Sequence, residues 1–419
     1  MTYAESVRFL YSLGNELKAA KYDLVRIRVL LAALGDPQLR GRFVHVAGTN
    51  GKGSTCAMIE SGLRAAGLRT GLYTSPHLAE PTERIQIAGQ PIAHEAFAAA
   101  FDRVHQCAES LLATGRMDQH PSYFETVTAM AFVTQTAVCD WIVLEVGLGG
   151  RLDATNVVEP ELCVITPVDF DHEAWLGRSI ESIAFEKAGI LKPGVPAVIT
   201  PQRPEVDRVI RARAAELGVE LIDPRDWQIG NLQVDREGSR FELRHLSIAC
   251  PLAGEHQIEN ARAAAVALET IGVPGEAIQA GIAAARWPGR LERVSRAPEI
   301  VVDGAHNPAG ARALARYLDS FYADEPLTLI YGAMRDKAVE EVAGTLFPRF
   351  AKVIVTAPQQ PRALAPESLL ELVDHANITT APRLAAALEQ AQGTTFITGS
   401  LFLVAEARQL LCHSSAPSI

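Results

Sequence analysis

The run Phe43-Val44-His45-Val46-Ala47 is almost wholly apolar and feeds directly into Gly48-Thr49-Asn50-Gly51-Lys52-Gly53-Ser54. Beyond it Thr55, Met58, Ile59 and Leu63 recur at helical spacing. A buried strand turning on glycines into a helix opens a βαβ unit, and with it a parallel sheet. Glycines let several backbone N–H groups converge on phosphate oxygens. Lys52 adds a point charge, and the helix N-terminus adds its positive dipole end. Asn50, Gly51, Lys52, Gly53 and Ser54 are therefore the candidate phosphate-binding residues. The strict G-x-x-x-x-G-K-[ST] pattern is not met: Val46 stands at its first glycine, and Gly53 delays the hydroxyl of Ser54 by one residue. The plainer reading is a glycine-rich turn, but Lys52 and the flanking strand and helix favour a nucleotide site.

Short apolar runs and amphipathic stretches alternate along the rest of the chain. Strands are expected at Gly71–Thr74, Trp141–Val146, Leu162–Thr166 and Ala197–Thr200, and helices at Ser54–Ala66, Glu95–Leu112, Tyr123–Val138 and Ser179–Ile190. Between Trp227 and Ile248 the period shortens towards two, predicting a small antiparallel patch, and a helix follows from Gln257 to Ile271. The breakers in Arg286-Trp287-Pro288-Gly289-Arg290 interrupt this series. A fresh one then begins, with strands at Ile300–Asp303, Leu327–Tyr331, Lys352–Thr356 and Thr395–Thr398. The expected fold is α/β: a P-loop domain with a mostly parallel sheet flanked by helices over residues 1–290, and a smaller Rossmann-like domain over 291–419. The junction is placed at Trp287–Pro298, and the tail from Ser414 to Ile419 is expected to fray.

With 419 residues, 48% of them apolar, the chain has the length for two cores. A net charge of −10 leaves no basic stripe for nucleic acid. The six cysteines show no C-x-x-C spacing and read as small core residues in a reducing compartment. The opening residues lack a signal-peptide pattern, and the most apolar region, Thr126–Val146, is broken by Gln135 and Asp140. A cytoplasmic monomer with no membrane or nucleic-acid partner is the expectation.

Polar residues cluster where the apolar runs end. Ser75 follows one strand, and Glu145 closes a very apolar one, where an unpaired carboxylate is costly. Asp169-Phe170-Asp171-His172-Glu173 follows another. Lys187 sits near a helix end, where alone it would read as a cation on the dipole. Val302-Asp303-Gly304-Ala305-His306-Asn307-Pro308 and Thr398-Gly399-Ser400 stand at carboxyl ends of strands, where open α/β sheets bind ligands. Tyr123 and Phe124, after Ser122, offer rings able to stack on a flat ligand; core packing is the alternative for both.

The string His45–Ser54, with its shifted glycine, resembles the P-loop of the dihydrofolate synthase/folylpolyglutamate synthase family within the Mur ligase superfamily. The resemblance extends from the loop after Tyr22 to Thr398–Arg408. It implies ATP as co-substrate and two magnesium sites, held by Ser75 and Glu145 and, near His172, by Lys187 carbamylated with carbon dioxide. Lys52, Lys187 and His172 become the catalytic set. Asn260, Arg290 and Asp303 are implied to hold ATP. Ser122, Tyr123, Phe124, Leu152, Asp153 and Ala154 are implied to hold the pterin, and His306 and Ser400 the glutamate. The implied reaction makes an acyl phosphate from a pteroate or folate carboxylate, then an amide with L-glutamate, with closure over the Trp287–Pro298 hinge. Three alternatives compete: a UDP-muramyl amino-acid ligase, against which only about 40 residues precede the loop; a P-loop kinase; and a nucleotide switch. Neither of the last two needs the Asp303–Pro308 signature together with His172 and Lys187.

Overall fold

The structure, a computed structural model, describes residues 1–14, 23–335, 338–373 and 375–412. The tail expected to fray, and Tyr22 where the family resemblance begins, lie outside the described residues.

The strands of the first sheet are β1 (Arg42–Ala47), β2 (Thr70–Tyr73), β3 (Ile85–Ile87), β4 (Gln90–Pro91), β5 (Trp141–Glu145), β6 (Leu162–Ile165), β7 (Ala197–Ile199) and β8 (Leu221–Ile222). They lie in the order β4-β3-β2-β5-β1-β6-β7-β8. From β2 to β8 the pairings are parallel, and β3 and β4 add an antiparallel edge. Side chains alternate between faces. Val44 and Val46 of β1 pack with Met58 and Ile59 of the Lys52–Ala65 helix, while Phe43 meets Phe132 of the Tyr123–Gln135 helix. Because β1 is buried on both faces, truncating Met58 to Ala would cost about 2–5 kcal/mol. The antiparallel patch forms as β9 (Ile229–Val234), β10 (Ser239–Leu243) and β11 (Leu246–Cys250). Its apolar face, Phe241, Leu243, Leu246 and Ile248, packs in the same core as the Glu255–Thr270 helix.

The second sheet is built from β12 (Glu292–Arg296), β13 (Glu299–Val302), β14 (Thr328–Tyr331), β15 (Lys352–Val355), β16 (Ile378–Thr380) and β17 (Thr395–Thr398), in the order β12-β13-β17-β14-β15-β16. Within the stretch read as a junction, Trp287–Pro298, Glu292–Arg296 forms an antiparallel edge strand of this sheet. Its apolar and charged residues alternate too irregularly to announce a strand.

Strand register decides where the polar residues emerge. Val46 faces Glu145 across β1 and β5, and Tyr73 faces Leu144 across β2 and β5, so Gly48, Ser75 and Glu145 emerge at one edge. In the second sheet Val302 faces Ile397, which brings Asp303 beside Thr398.

Candidate active site

A cleft of about 480 Å³ lies over the carboxyl ends of β1, β5 and β6, with the segment after β13 forming its other wall. It gathers Gly48–Ser54, Ser75, Glu145, His172, Lys187, Asn260, Arg290, Asp303 and His306, residues spread over most of the sequence.

The loop takes its shape from two close approaches. Gly51 caps the Lys52–Ala65 helix at φ +85°, and a Cβ there would lie 2.5 Å from Asn260 Oδ1. A Cβ on Gly53 would lie 2.6 Å from the ring of Trp287. The extra glycine thus has a physical reason: an indole from the far end of the domain lies against the first turn of the helix. Asn260 donates to Gln257 Oε1 at 2.9 Å, and Gln257 donates to Ser54 Oγ at 3.2 Å. The late hydroxyl is therefore held from the Glu255–Thr270 helix. Lys52 Nζ donates to the loop's own carbonyls, Gly48 O at 3.1 Å and Thr49 O at 3.2 Å, which folds the ammonium back over the loop.

Lys187 reaches the same loop from the Ile180–Ala188 helix, its Nζ donating to Gly48 O at 2.7 Å. That helix is fastened to the turn after β5, where Arg151 N donates to Glu186 O at 2.8 Å. Burial, aided by the nearby charge of Lys52, pulls Lys187 down to about 7, against the opposing pull of Asp171 and Asp153. Glu145 is buried, and its Oε2 accepts the Ser75 N–H at 3.1 Å. Burial raises its pKa, opposed by Lys52, that N–H and Arg290. A buried carboxylate with one hydrogen bond among the described residues, beside a serine, suits a hard cation that takes oxygen ligands. His172 adopts φ +55° and lies with its Nε2 3.9 Å from Asp171 Oδ2.

From the second sheet, Asp303 is fixed by backbone donors, Leu291 N at 2.9 Å and Ala305 N at 2.9 Å. His306 donates from Nδ1 to Gly304 O at 2.8 Å, leaving Nε2 3.6 Å from Asp171. Asn307 caps the Pro308–Phe321 helix through Gly310 N at 2.8 Å. Its amide donates across the cleft to Asn50 Oδ1 at 3.1 Å and to Asp171 Oδ2 at 3.2 Å. Asp171 was read only as part of the Asp169–Glu173 cluster, and Trp287, His256 and Asn307 were given no role of their own from the sequence. For Asn307 the available signal was the Asn-Pro pair that opens a helix. Burial draws His256 down to about 4 in spite of Asp303.

Two segments match known families. Residues 46–268 match the Mur ligase middle domain, and residues 289–405 match the glutamate ligase domain of Mur ligases. The folylpolyglutamate synthase of Lacticaseibacillus casei is 37% identical over 431 residues, covering 98% of this chain and 99% of that protein. The chain belongs to the folylpolyglutamate synthase/dihydrofolate synthase family of Mur ligases. It is an ATP-dependent ligase. The dihydrofolate synthase/folylpolyglutamate synthase of Mycobacterium tuberculosis is 38% identical over 372 residues, covering 83% of this chain and 76% of that protein. The solved Mycobacterium tuberculosis folylpolyglutamate synthase complexed with ADP superposes with a TM-score of 0.92 at 35% identity, covering 98% of each chain. An Escherichia coli member in complex with DHPP and ADP superposes at 0.87 with 32% identity, covering 99% of each chain.

Other residues assigned through this family resemblance do not line the cleft. Ser122 forms a capping box with Glu125, accepting from its N–H at 3.3 Å while its own N–H donates to Glu125 Oε2 at 2.8 Å. Tyr123 is buried, stacked on Tyr11 at 5.8 Å with the Arg84 guanidinium 5.1 Å from its ring. Asp153 spends Oδ2 on the N–H groups of Gly147 and Leu148, at 3.1 and 2.9 Å, and Oδ1 on Thr155. Burial raises its pKa against these donors. Ala154 is buried, whereas Phe124, lying against Gly147, and Leu152 are half-exposed. Ser400 is buried and accepts from Phe402 N at 3.1 Å at the start of the last helix. Its neighbour Leu401 lines the cleft instead.

Proposed function

We propose that this ligase joins L-glutamate to dihydropteroate, forming dihydrofolate, and also extends the glutamate tail of reduced folates. A substrate carboxylate attacks the γ-phosphorus of ATP, giving an acyl phosphate and ADP. The amine of glutamate then attacks the acyl carbon, phosphate leaves, and the amine proton passes to solvent or base. The observation that carries the reading is the meeting, in one cleft, of the Lys52 loop with Asp303 and His306 from the other sheet. Asn307 ties the two through Asn50.

In this reading Asn50–Ser54 hold the phosphates, while Asn260, Arg290 and Asp303 hold the rest of the nucleotide. Lys52 and Arg290 stabilise charge on the transferring group, where preorganised donors supply most of the rate. Ser75 and Glu145 hold one magnesium. His172 and a carbamylated Lys187 support the second. Bound there, magnesium neutralises the phosphoryl oxygens. The carbamate reading rests on a buried amine that is close to neutral, the form able to take up carbon dioxide. Phe124 and Leu152 offer the half-exposed apolar surface for the pterin, with Ser122, Tyr123, Asp153 and Ala154 fixing its frame. His306 and the Ser400 turn receive glutamate. No described helix is long and apolar enough to cross a membrane. The enzyme acts as a cytoplasmic monomer.

The test is phosphate release with ATP, magnesium and glutamate, offering dihydropteroate, tetrahydrofolate and a UDP-muramyl precursor in turn. Turnover with both pterins supports the full proposal. Turnover with one restricts it to that activity, and turnover with neither overturns it. A structure grown with bicarbonate, magnesium and nucleotide that shows an unmodified Lys187 would remove the carbamate.

A further inference from the structure

The His94–Ala113 helix ends in a tight reversal at Gly115, φ +67°, where Arg116 N donates to Leu111 O at 2.9 Å. The reversal brings His120 back over the helix face that carries His105 and Glu109, one turn apart. His105 Nδ1 and His120 Nε2 each lie 3.9 Å from one oxygen, Glu109 Oε1. The three ligating atoms fall within 4.8 Å of one another. Both nitrogens are shut off from solvent, and neither makes a hydrogen bond among the described residues. Buried polar atoms left without a partner are costly, so their convergence needs a cause.

The tautomer of His120 points to one. Its Nδ1 lies 2.8 Å from Pro121 O; a carbonyl only accepts, so Nδ1 carries the proton and Nε2 presents a lone pair towards Glu109. Metal-ligating imidazoles are commonly oriented in this way, by a backbone carbonyl on the other nitrogen. The rings are held by aromatic walls: Phe9 at 4.5 Å from His105 and 5.4 Å from His120, and Phe101 stacked on His105 at 5.3 Å. Asp102, one turn earlier, is committed to the terminal amine at 2.7 Å.

We propose that His105, Glu109 and His120 bind a divalent transition-metal ion of the zinc type, with the fourth position open to solvent beside Glu109. Two imidazoles and one carboxylate suit zinc rather than magnesium, which prefers oxygen donors throughout. Bonds of about 2.0–2.2 Å place tetrahedral ligands about 3.3 Å apart. The two nitrogen–oxygen spacings of 3.9 Å must therefore close by about half an ångström, a movement open to the exposed Glu109 side chain, while the nitrogen–nitrogen spacing, within 4.8 Å, is set by small rotations of the two imidazoles. No residue is shared with the Glu145 cleft. The bound ion would brace the segment whose last residues, Pro121 and Ser122, open the Tyr123–Gln135 helix.

The test titrates untagged, chelator-treated protein with Co2+ in excess Mg2+, which keeps oxygen-ligand sites filled. One equivalent should bind with the intense visible bands of four-coordinate Co2+, be displaced by Zn2+, and raise the melting temperature. E109Q, at an exposed position, should weaken binding at least tenfold. The H105Q/H120Q double variant should abolish it while far-ultraviolet circular dichroism stays native. Failure to see the four-coordinate spectrum, an unchanged spectrum in E109Q and the double variant, or thiolate charge-transfer bands would each overturn the proposal.

Discussion

The two walls of the cleft are built differently. On the first-sheet side each charged group is already tied to its own scaffold: Lys52 and Lys187 to Gly48 O, Glu145 to Ser75 N. Those ties rest on strands buried on both faces, so the phosphate half is preorganised. The second-sheet side is internally ordered too, through Asp303 and its backbone donors. It meets the loop and the segment after β6, however, through a few polar contacts: Asn307 with Asn50 and Asp171, and Arg312 with Asp169 at 2.8 Å. Polar contacts that water can replace are worth about 0.5–1.5 kcal/mol each, few enough to break and re-form in a catalytic cycle. On the proposed reading one wall holds the charge, and the other brings the second substrate to it.

The comparison breaks first at Lys52. If the phosphate wall supplies the transition-state charge, Lys52→Ala should lower kcat by about 10³-fold with folding stability unchanged. Single-turnover phosphate release measures this, and a tenfold loss or less would place the charge elsewhere. Next is Gly53→Ala, whose Cβ meets the indole of Trp287 at 2.6 Å. Displacing a preorganised loop by part of an ångström should cost about 10–100-fold in kcat/KM. Adding Trp287→Ala should recover part of that loss, and a double-mutant cycle showing no coupling would mean that the loop does not take its shape from this contact.

Asn307→Ser sharpens the contrast from the other wall. Serine still caps the helix, so stability should hold to within about 0.5 kcal/mol, while the two donations across the cleft are lost. Their absence should raise KM for glutamate about thirtyfold, with each lost bond worth about 1 kcal/mol, and change kcat less. Steady-state kinetics at saturating ATP, together with urea unfolding, separate the two effects. A fall in kcat without a change in KM would show that the polar latch is part of the chemistry.

Legibility followed the same divide. Strands β1, β5 and β6 were readable because burial on both faces gives unbroken apolar runs. The edge strands β4, β8 and β12 were not, since an edge needs neither continuous apolarity nor clean alternation. Glu145 and Asp303 stood out because each ends an apolar run with a polar group, Lys52 because it sits in a glycine-rich turn from strand to helix, and Lys187 through the family resemblance. Trp287 and Asn307 carry no such local mark. Asn307 acquires its meaning only against Asn50, 257 residues away, and Trp287 only against a glycine that looked misplaced. Ser122 was assigned through the family resemblance, and its Ser-x-x-Glu context marks it also as a helix cap, the role its hydrogen bonds show.

The rigid wall also carries a cost that the polar latch does not, at His45 in the middle of β1. Its Nε2 lies 2.8 Å from Thr155 Oγ1, and that hydroxyl donates to Asp153 Oδ1 at 2.6 Å. The hydroxyl proton being spent on Asp153, Thr155 must accept from His45. Nε2 therefore carries the imidazole proton, and Nδ1 is a buried lone pair with no partner among the described residues. Burial drives the pKa of His45 down to about 3 from an ordinary 6.5. Between those values the unfolded chain binds a proton that the folded chain refuses, so stability falls as pH drops below about 6.5. By pH 4 the loss approaches about 3 kcal/mol from this site, at about 1.4 kcal/mol per pH unit. His45→Gln keeps a donor for Thr155 and cannot titrate. Relative to the unmodified chain, its unfolding free energy should improve between pH 6.5 and 4, and turnover at pH 8 should change less than twofold. Parallel pH profiles for the two proteins would mean that His45 reaches a proton acceptor or water in the folded state. The first wall would then be less rigid than its hydrogen bonds imply.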